Sequence, residues 1–364
     1  MSPPDALAAI WQLGQLPAAA LGRVRLTGAD PTLPSSFCVG TAAQTSIAAA
    51  ALAATEFGAL RGQPAQDVAV DMEHAAAECS AWFSVDGRVP EVWDKFSGLY
   101  RCGDGWVRIH TNFAHHRAGA LKLLGLDPEF AQRADVQQAL LACNAEQFEQ
   151  AAADRGMVVA AARSFEAWDT HPQGRVVAAQ PLISFERIGD APVRHWAELA
   201  PTDLPLRGVR VLDLTRILAG PVGGRTLAAY GADVMLVNAP HLPNIESIAD
   251  TSRGKLSALL DLRDESGQAG LDALLATGHV FMQGYRPGAL DALGFGAAAI
   301  AASTRAWSVC LSPPMGMMAP GATGAASILW CRPPPDSIWR KRRPRGPPSH
   351  APCQRRFWTM PPAS

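Results

Sequence analysis

The 364-residue chain has no apolar run approaching the roughly 20 residues that a membrane span requires, so no transmembrane helix is expected. Its start, Met1-Ser2-Pro3-Pro4-Asp5, lacks the basic-then-apolar order of a secretion signal, and the expected location is the cytoplasm. No CxxC pair occurs. The seven cysteines (Cys38, Cys79, Cys102, Cys143, Cys310, Cys331 and Cys353) are odd in number and scattered, which points to reduced, packing thiols rather than a disulfide framework or zinc site. A formal net charge of −1 leaves no global field for a nucleic acid or an anionic membrane, and neither is an expected partner. His110, His115 and His116 lack an acid or cysteine at metal-ligand spacing, so no metal is expected and they read as surface or hairpin histidines. There is no G-x-S-x-G for a serine hydrolase.

With 48% hydrophobic and 18% charged residues, the chain can build cores for about two domains. Residues 41–60 are alanine-rich and predict a helix, stopped by Arg61-Gly62-Gln63-Pro64 and followed by a short strand at 67–71. Tyr100-Arg101-Cys102 and Trp106-Val107-Arg108-Ile109 flank the turn signal Gly103-Asp104-Gly105 and predict a hairpin. Residues 117–124 and 136–162 read as helical. Trp82, Trp93, Trp106 and Trp168 read as core or domain-contact anchors.

Pro201 and Pro205 mark residues 201–207 as a linker, after which a new unit begins. Arg210-Val211-Leu212-Asp213-Leu214 predicts a buried strand, Gly220-Pro221-Val222-Gly223-Gly224 a loop, 225–230 a helix and 232–237 a second strand. This is a βαβ unit and implies a parallel sheet. The strand 259–262, the helix 267–276 and the strand 279–283 repeat the pattern. A glycine loop at a helix start favours phosphate. NAD is a poor fit: the spacing is not GxGxxG, Pro221 removes an amide donor, and Asn238 stands where an acid would hold a ribose.

The motifs then become specific. Gly208-Val209-Arg210-Val211-Leu212-Asp213-Leu214-Thr215-Arg216-Ile217-Leu218-Ala219-Gly220-Pro221 resembles the opening of the class III CoA-transferases, the family of formyl-CoA transferase and carnitine CoA-transferase. Gly231-Ala232-Asp233-Val234, Arg253-Gly254-Lys255, and Tyr285-Arg286-Pro287-Gly288 followed by Leu293-Gly294-Phe295 resemble its next landmarks in order. Residues 61–72, the 100–107 hairpin and Glu166-Ala167-Trp168 with His171-Pro172-Gln173 resemble later parts of the family, as in a fused or duplicated member.

The resemblance implies an α/β fold: a class III CoA-transferase-like, parallel βαβ (Rossmann-like) large domain with a smaller hairpin-containing domain. Its divisions are 1–200, a C-terminal-type half including the small domain; 201–312, an N-terminal-type βαβ domain; and 313–364, an aberrant tail. It implies acyl-CoA and carboxylic acids as substrates, no permanently bound cofactor, and an interlocked homodimer. Coenzyme A is expected against Ile217, Leu218 and Ala219, with Arg253, Lys255 and Arg286 as phosphate partners and Tyr285 lining its channel. Asn238, Gly284 and Ala292 depart from the family pattern.

Family members transfer CoA through an aspartate that becomes an acyl anhydride and then a thioester. No acid stands at the expected place: near Gly40-Thr41-Ala42-Ala43 it is absent, and so it is after the second half's motifs. The tail changes character instead, with twelve prolines, eight Arg or Lys and one acid, Asp336, in its last 52 residues, a disordered composition. Read from the third base of each codon, Trp358-Thr359 must encode Asp, within a stretch that can read Leu-Asp-His-Ala-Ser-Gly and resembles the family's catalytic segment. A frameshift near residues 311–314 is therefore expected, and Arg340-Lys341-Arg342-Arg343 is an accident of frame rather than a nucleic-acid patch. The expected function is that of a CoA-transferase family III-like protein impaired by loss of its catalytic residue, with no catalytic residue assigned. The alternatives are a non-catalytic CoA-binding or pseudogene product, and a transferase or acyl-CoA racemase-like enzyme using another carboxylate such as Asp71 or Asp213.

Overall fold

A computed structural model describes residues 1–35, 37–80, 82–242, 244–302 and 307–311. The expectations for the tail at 313–364, including the frameshift and its disorder, lie outside the described residues.

Strands β1 (Val24–Thr27) and β2 (Val68–Asp71) pair in parallel. The long helix Val39–Leu60 packs on them around Trp11, Leu52 and Val68. Its alanine-rich face permits close approach, and it stops where Gly62 takes φ +88°, a left-handed conformation that suits glycine at a helix end.

The predicted hairpin is β3 (Gly98–Arg101) with β4 (Trp106–His110), antiparallel. A third strand, β5 (Val158–Ala161), adds antiparallel to β4. This corrects the reading of 136–162 as continuous helix. Helices occupy only Arg133–Leu140 and Ala145–Ala153, and the β-branched pair Val158-Val159 then pairs with His110 and Ile109. Tyr100, Val107, Ile109, Leu121 and Phe148 form this small domain's core. Trp82 and Trp106 are exposed, at 70% and 44%, which corrects their reading as core anchors.

The second half is a five-stranded, all-parallel sheet of β6 (Arg210–Leu214), β7 (Asp233–Asn238), β8 (Leu256–Leu259), β9 (Val280–Gln283) and β10 (Ser308–Leu311). Its spatial order is β8-β7-β6-β9-β10, the doubly wound arrangement that reverses direction between β6 and β9. Along β6, Leu212 and Leu214 join the core beneath helix Glu265–Leu275 with Phe281 and Leu271, whereas Val211 packs on the other face with Val234 and Met282. Burial on both faces explains why β6 reads as an apolar run. Two boundaries differ from expectation. The segment read as a glycine loop forms the first turns of helix Ala219–Ala229, and β8 lies at Leu256–Leu259 rather than 259–262.

The linker is clamped. Arg61, 6% exposed, donates from Nε to the Ala197 carbonyl at 2.9 Å and from Nη1 to those of Pro205 and Arg207 at 3.2 and 2.8 Å. Gln63 donates to the Ala200 and Asp203 carbonyls at 3.1 and 2.8 Å. The guanidinium also lies 5.5 Å from the Phe57 ring and 5.6 Å from the Trp196 ring, which pack edge to face against each other. Charge-assisted bonds to several otherwise unpaired carbonyls stabilise strongly. Arg61→Ala is expected to lower stability by about 3 kcal/mol, read as a shifted urea midpoint; an unchanged midpoint would show that the linker docks without it.

Candidate functional site

The carboxyl ends of the sheet strands are built around a buried knot. Asp213, on the side of β6 facing helix Ala219–Ala229, is 0% exposed. Its Oδ1 accepts from the Thr215 amide at 3.0 Å and from the Thr215 hydroxyl. Its Oδ2 accepts from Lys255 Nζ at 2.8 Å, and the same ammonium donates to the Pro221 carbonyl at 2.7 Å. Lys255 is likewise sealed from solvent. Gly224 is required here, because a Cβ would collide with Asp213 Oδ2 and crowd Lys255 Nζ. One ion pair thus ties β6, the following helix and the turn before β8 together.

Immediately past Thr215 the backbone is strained. Ile217 takes φ +75°, a conformation costly for a β-branched residue, and Leu218 precedes the helix without a side-chain cap. Helix Ala219–Ala229 thus starts directly after the strained residue with no side-chain cap from Leu218. A cleft opens between the ends of β6 and β7, lined by Ile217, Pro221, Leu236, Asn238, Ile245 and Thr251 among others. Its walls combine these apolar side chains with amide and hydroxyl groups and with Arg216. Asn238 is nearly buried and reaches Ser257 Oγ at 3.4 Å.

Of the expected site residues, Ile217 lines this cleft, whereas Leu218 and Ala219, the N-cap and first residue of the next helix, are not among its walls. Lys255 lies beneath it, committed to Asp213 and Pro221, which corrects the expectation that its charge is available to an external phosphate. Arg253 is 63% exposed and pairs with Asp250 at 2.9 Å, an acid also held by Arg225 at 2.7 Å. Tyr285 and Arg286 follow β9 across the switch point; Tyr285 is half-buried, its hydroxyl pKa pushed up by burial, and Arg286 is exposed. The expected set thus divides between the two sides of β6.

The alternative carboxylates are occupied. Asp213 is enclosed as described. Asp71 caps helix Met72–Cys79, accepting from the Glu73 and His74 amides at 3.0 and 3.3 Å, and the Thr27 hydroxyl holds its pKa below the usual carboxylate range. Neither is presented as a nucleophile.

Sequence reasoning missed Asn244, Ile245, Ile248 and Thr251 as cleft walls, because they carry no motif and arrive by the path of the 244–251 segment. It also missed Arg216, whose guanidinium lies 5.9 Å from the Phe113 ring of the small domain.

Residues 206–306 match the family described as CoA-transferase family III. This segment is similar to that family. The chain is 35% identical over 102 residues to the formyl-CoA:oxalate CoA-transferase of Streptomyces coelicolor, covering 25% of each protein. A longer match, 28% identical over 266 residues, joins 62% of this chain to 46% of an acyl-CoA transferase of Gibberella moniliformis. Residues 206–364 are less than half of the chain, so that match reaches into the first 205 residues. The chain spans less than half the length of these curated relatives. Among solved structures, a CaiB/BaiF family protein from Brucella suis shares 30% identity over 34% of this chain and 36% of its own, with a TM-score of 0.31. No described helix is long and apolar enough to cross a membrane.

Removing one partner of a buried ion pair leaves an uncompensated charge, so Lys255→Met is expected to cost about 3–5 kcal/mol by urea unfolding. Adding Asp213→Asn to it should restore part of that loss; strict additivity would contradict the coupling.

His116, on the helix Ala114–Leu123 of the small domain, has its pKa lowered to about 4, first by burial and then by His115, His110 and Arg286. The folded protein therefore holds it neutral where the unfolded chain, near the ordinary 6.5, takes up a proton. Its contribution is present above that unfolded value and declines as pH falls toward 4. His116→Gln should flatten the fall in stability between about pH 7 and pH 5; an unaltered pH profile would contradict this.

Proposed function

We propose that the chain binds CoA thioesters at the carboxyl end of its parallel sheet and does not itself complete CoA transfer. The observation that carries this reading is the strained Ile217 at the mouth of the β6–β7 cleft, beside helix amides that no side chain caps. Strain of this kind persists where function needs the backbone held in one shape. The nucleotide end of CoA would lie against Ile217, Leu218 and Ala219, using backbone groups. Arg253 and Arg286, both exposed, are the phosphate partners. Lys255 acts from below as the counter-charge that fixes the cleft floor, and Tyr285 lines the CoA channel.

Transfer by the family route needs a carboxylate that attacks the thioester carbonyl, forms a mixed anhydride and releases CoA as thiolate. The thiolate then attacks the anhydride, giving an enzyme-bound thioester and freeing the acyl group as its acid. Asp71 and Asp213 are occupied in the fold, and no other acid was assigned to this role. The proposal is a CoA-ester-binding protein with impaired chemistry; its expected setting is the cytoplasm. A homodimer is the expected assembly, supported by Leu256 and Leu259, 65% and 66% exposed on the edge strand β8.

Calorimetric titration of the full chain with CoA should give saturable binding, weakened roughly tenfold by Arg286→Gln, while labelled acid fails to exchange into acyl-CoA. Failure to bind would refute the proposal. Exchange abolished by replacing a single acid would make the chain a working enzyme.

A further inference from the structure

One wall of the β6–β7 cleft is made by a segment that cannot hold itself. Ile245, Ile248 and Thr251 line the cleft, yet between β7 and β8 the described residues form one regular element, the single turn Ile248–Thr251. One helical turn is too short to be stable alone, so its place must be fixed from outside. Pro221, in the first turn of helix Ala219–Ala229, is another of the walls. Arg225 lies four residues further along that helix, on the same face.

Arg225 joins the two elements. Its Nη1 donates to both carboxylate oxygens of Asp250, at 2.7 and 2.8 Å. The side chains are 13% and 14% exposed, so the pair escapes most of the screening that leaves surface pairs weak. Asp250 stands between Ile248 and Thr251, and fixing its carboxylate fixes the wall they form. The same carboxylate accepts from Arg253 Nη2 at 2.9 Å, which ties a proposed phosphate partner to the same anchor. The other arm of Arg225, Nη2, donates to Glu78 on helix Met72–Cys79 of the first half. Residues 147 positions apart in sequence are thus joined by the cation that holds the cleft wall. A planar guanidinium can serve both acids at once, as a single ammonium cannot.

We infer that Arg225 is a positioning residue for the cleft: through Asp250 it holds the wall bearing Ile248 and Thr251, and through Glu78 it makes that wall depend on the docked first half. Arg225 is not itself a wall of the cleft, and both its arms are committed, so it places other groups rather than contacting a phosphate. The inference rests on the reading of this cleft as the CoA site. It adds that the first half braces the binding site of the second.

The test compares the wild type, Arg225→Lys, Glu78→Gln and the double variant as full chains, by amide hydrogen exchange without ligand and by calorimetric titration with CoA. Lysine keeps the charge and loses the grip on two oxygens. Arg225→Lys should quicken exchange at 245–252 while β6 and β7 keep wild-type rates, and should weaken CoA binding about tenfold. Glu78→Gln should weaken it about threefold, and the double variant by less than the two losses combined. The salt dependence of binding should stay as in the wild type for Arg225→Lys, whereas Arg286→Gln flattens it. A flattened dependence in Arg225→Lys would make Arg225 a direct phosphate contact and overturn the positioning role. Exchange quickened throughout the sheet, with affinity falling only as the folded fraction falls, would reduce Arg225 to a structural residue. Unchanged affinity in Glu78→Gln would overturn the link to the first half. If Arg225→Lys does not fold, Glu78→Gln, altered at a half-exposed side chain, still decides. If the wild type fails to bind CoA, the CoA reading falls, and the ligand-free exchange of the variants still tests the brace.

Discussion

The second half of the molecule depends on a charge pair with no access to water. Lys255 and Asp213 are both fully enclosed, and an ammonium and a carboxylate taken out of water must satisfy each other and their remaining hydrogen-bonding capacity. Thr215 and the Pro221 carbonyl complete that requirement. The consequence is positional. The pair holds the end of β6 against the start of helix Ala219–Ala229 and forbids any side chain at position 224. A hydrophobic replacement would leave the end of β6, the helix start and the turn before β8 with nothing directional to align them.

Directly above this pair the chain adopts the conformation it would otherwise avoid. Ile217 is left-handed, and the helix begins without a side-chain cap, so the fold spends stability at the edge of the cleft that Ile217 lines. Doubly wound sheets place their ligands at the carboxyl ends of strands where the strand order reverses. Here a cleft with polar and apolar walls lies between the ends of β6 and β7, and Arg216, one of its walls, reaches the Phe113 ring at 5.9 Å.

Much of this organisation was legible in the sequence. The run at 210–214 marked a strand buried on both faces, Gly103-Asp104-Gly105 marked the hairpin, and the ordered motifs from 208 to 295 indicated the family. What failed to read has physical causes. The glycines at 220–224 look like a loop by composition but are small because the helix passes over Asp213. Val158–Ala161 follows helical sequence and becomes strand only because β4 offers a partner edge. Lys255 looked like a phosphate ligand because burial is a property of the assembled sheet, not of its neighbours in sequence. Arg216 carried no legible role, because its contact with Phe113 joins residues about a hundred apart in sequence.

The central claim is that the turn after β6 receives the nucleotide end of CoA. Amide hydrogen exchange of the full chain, with and without saturating CoA, tests it most directly. The account predicts slower exchange at Ile217, Leu218, Ala219 and Gly220, with β3 and β4 unaffected. Saturable CoA binding that leaves those four amides unchanged would contradict it.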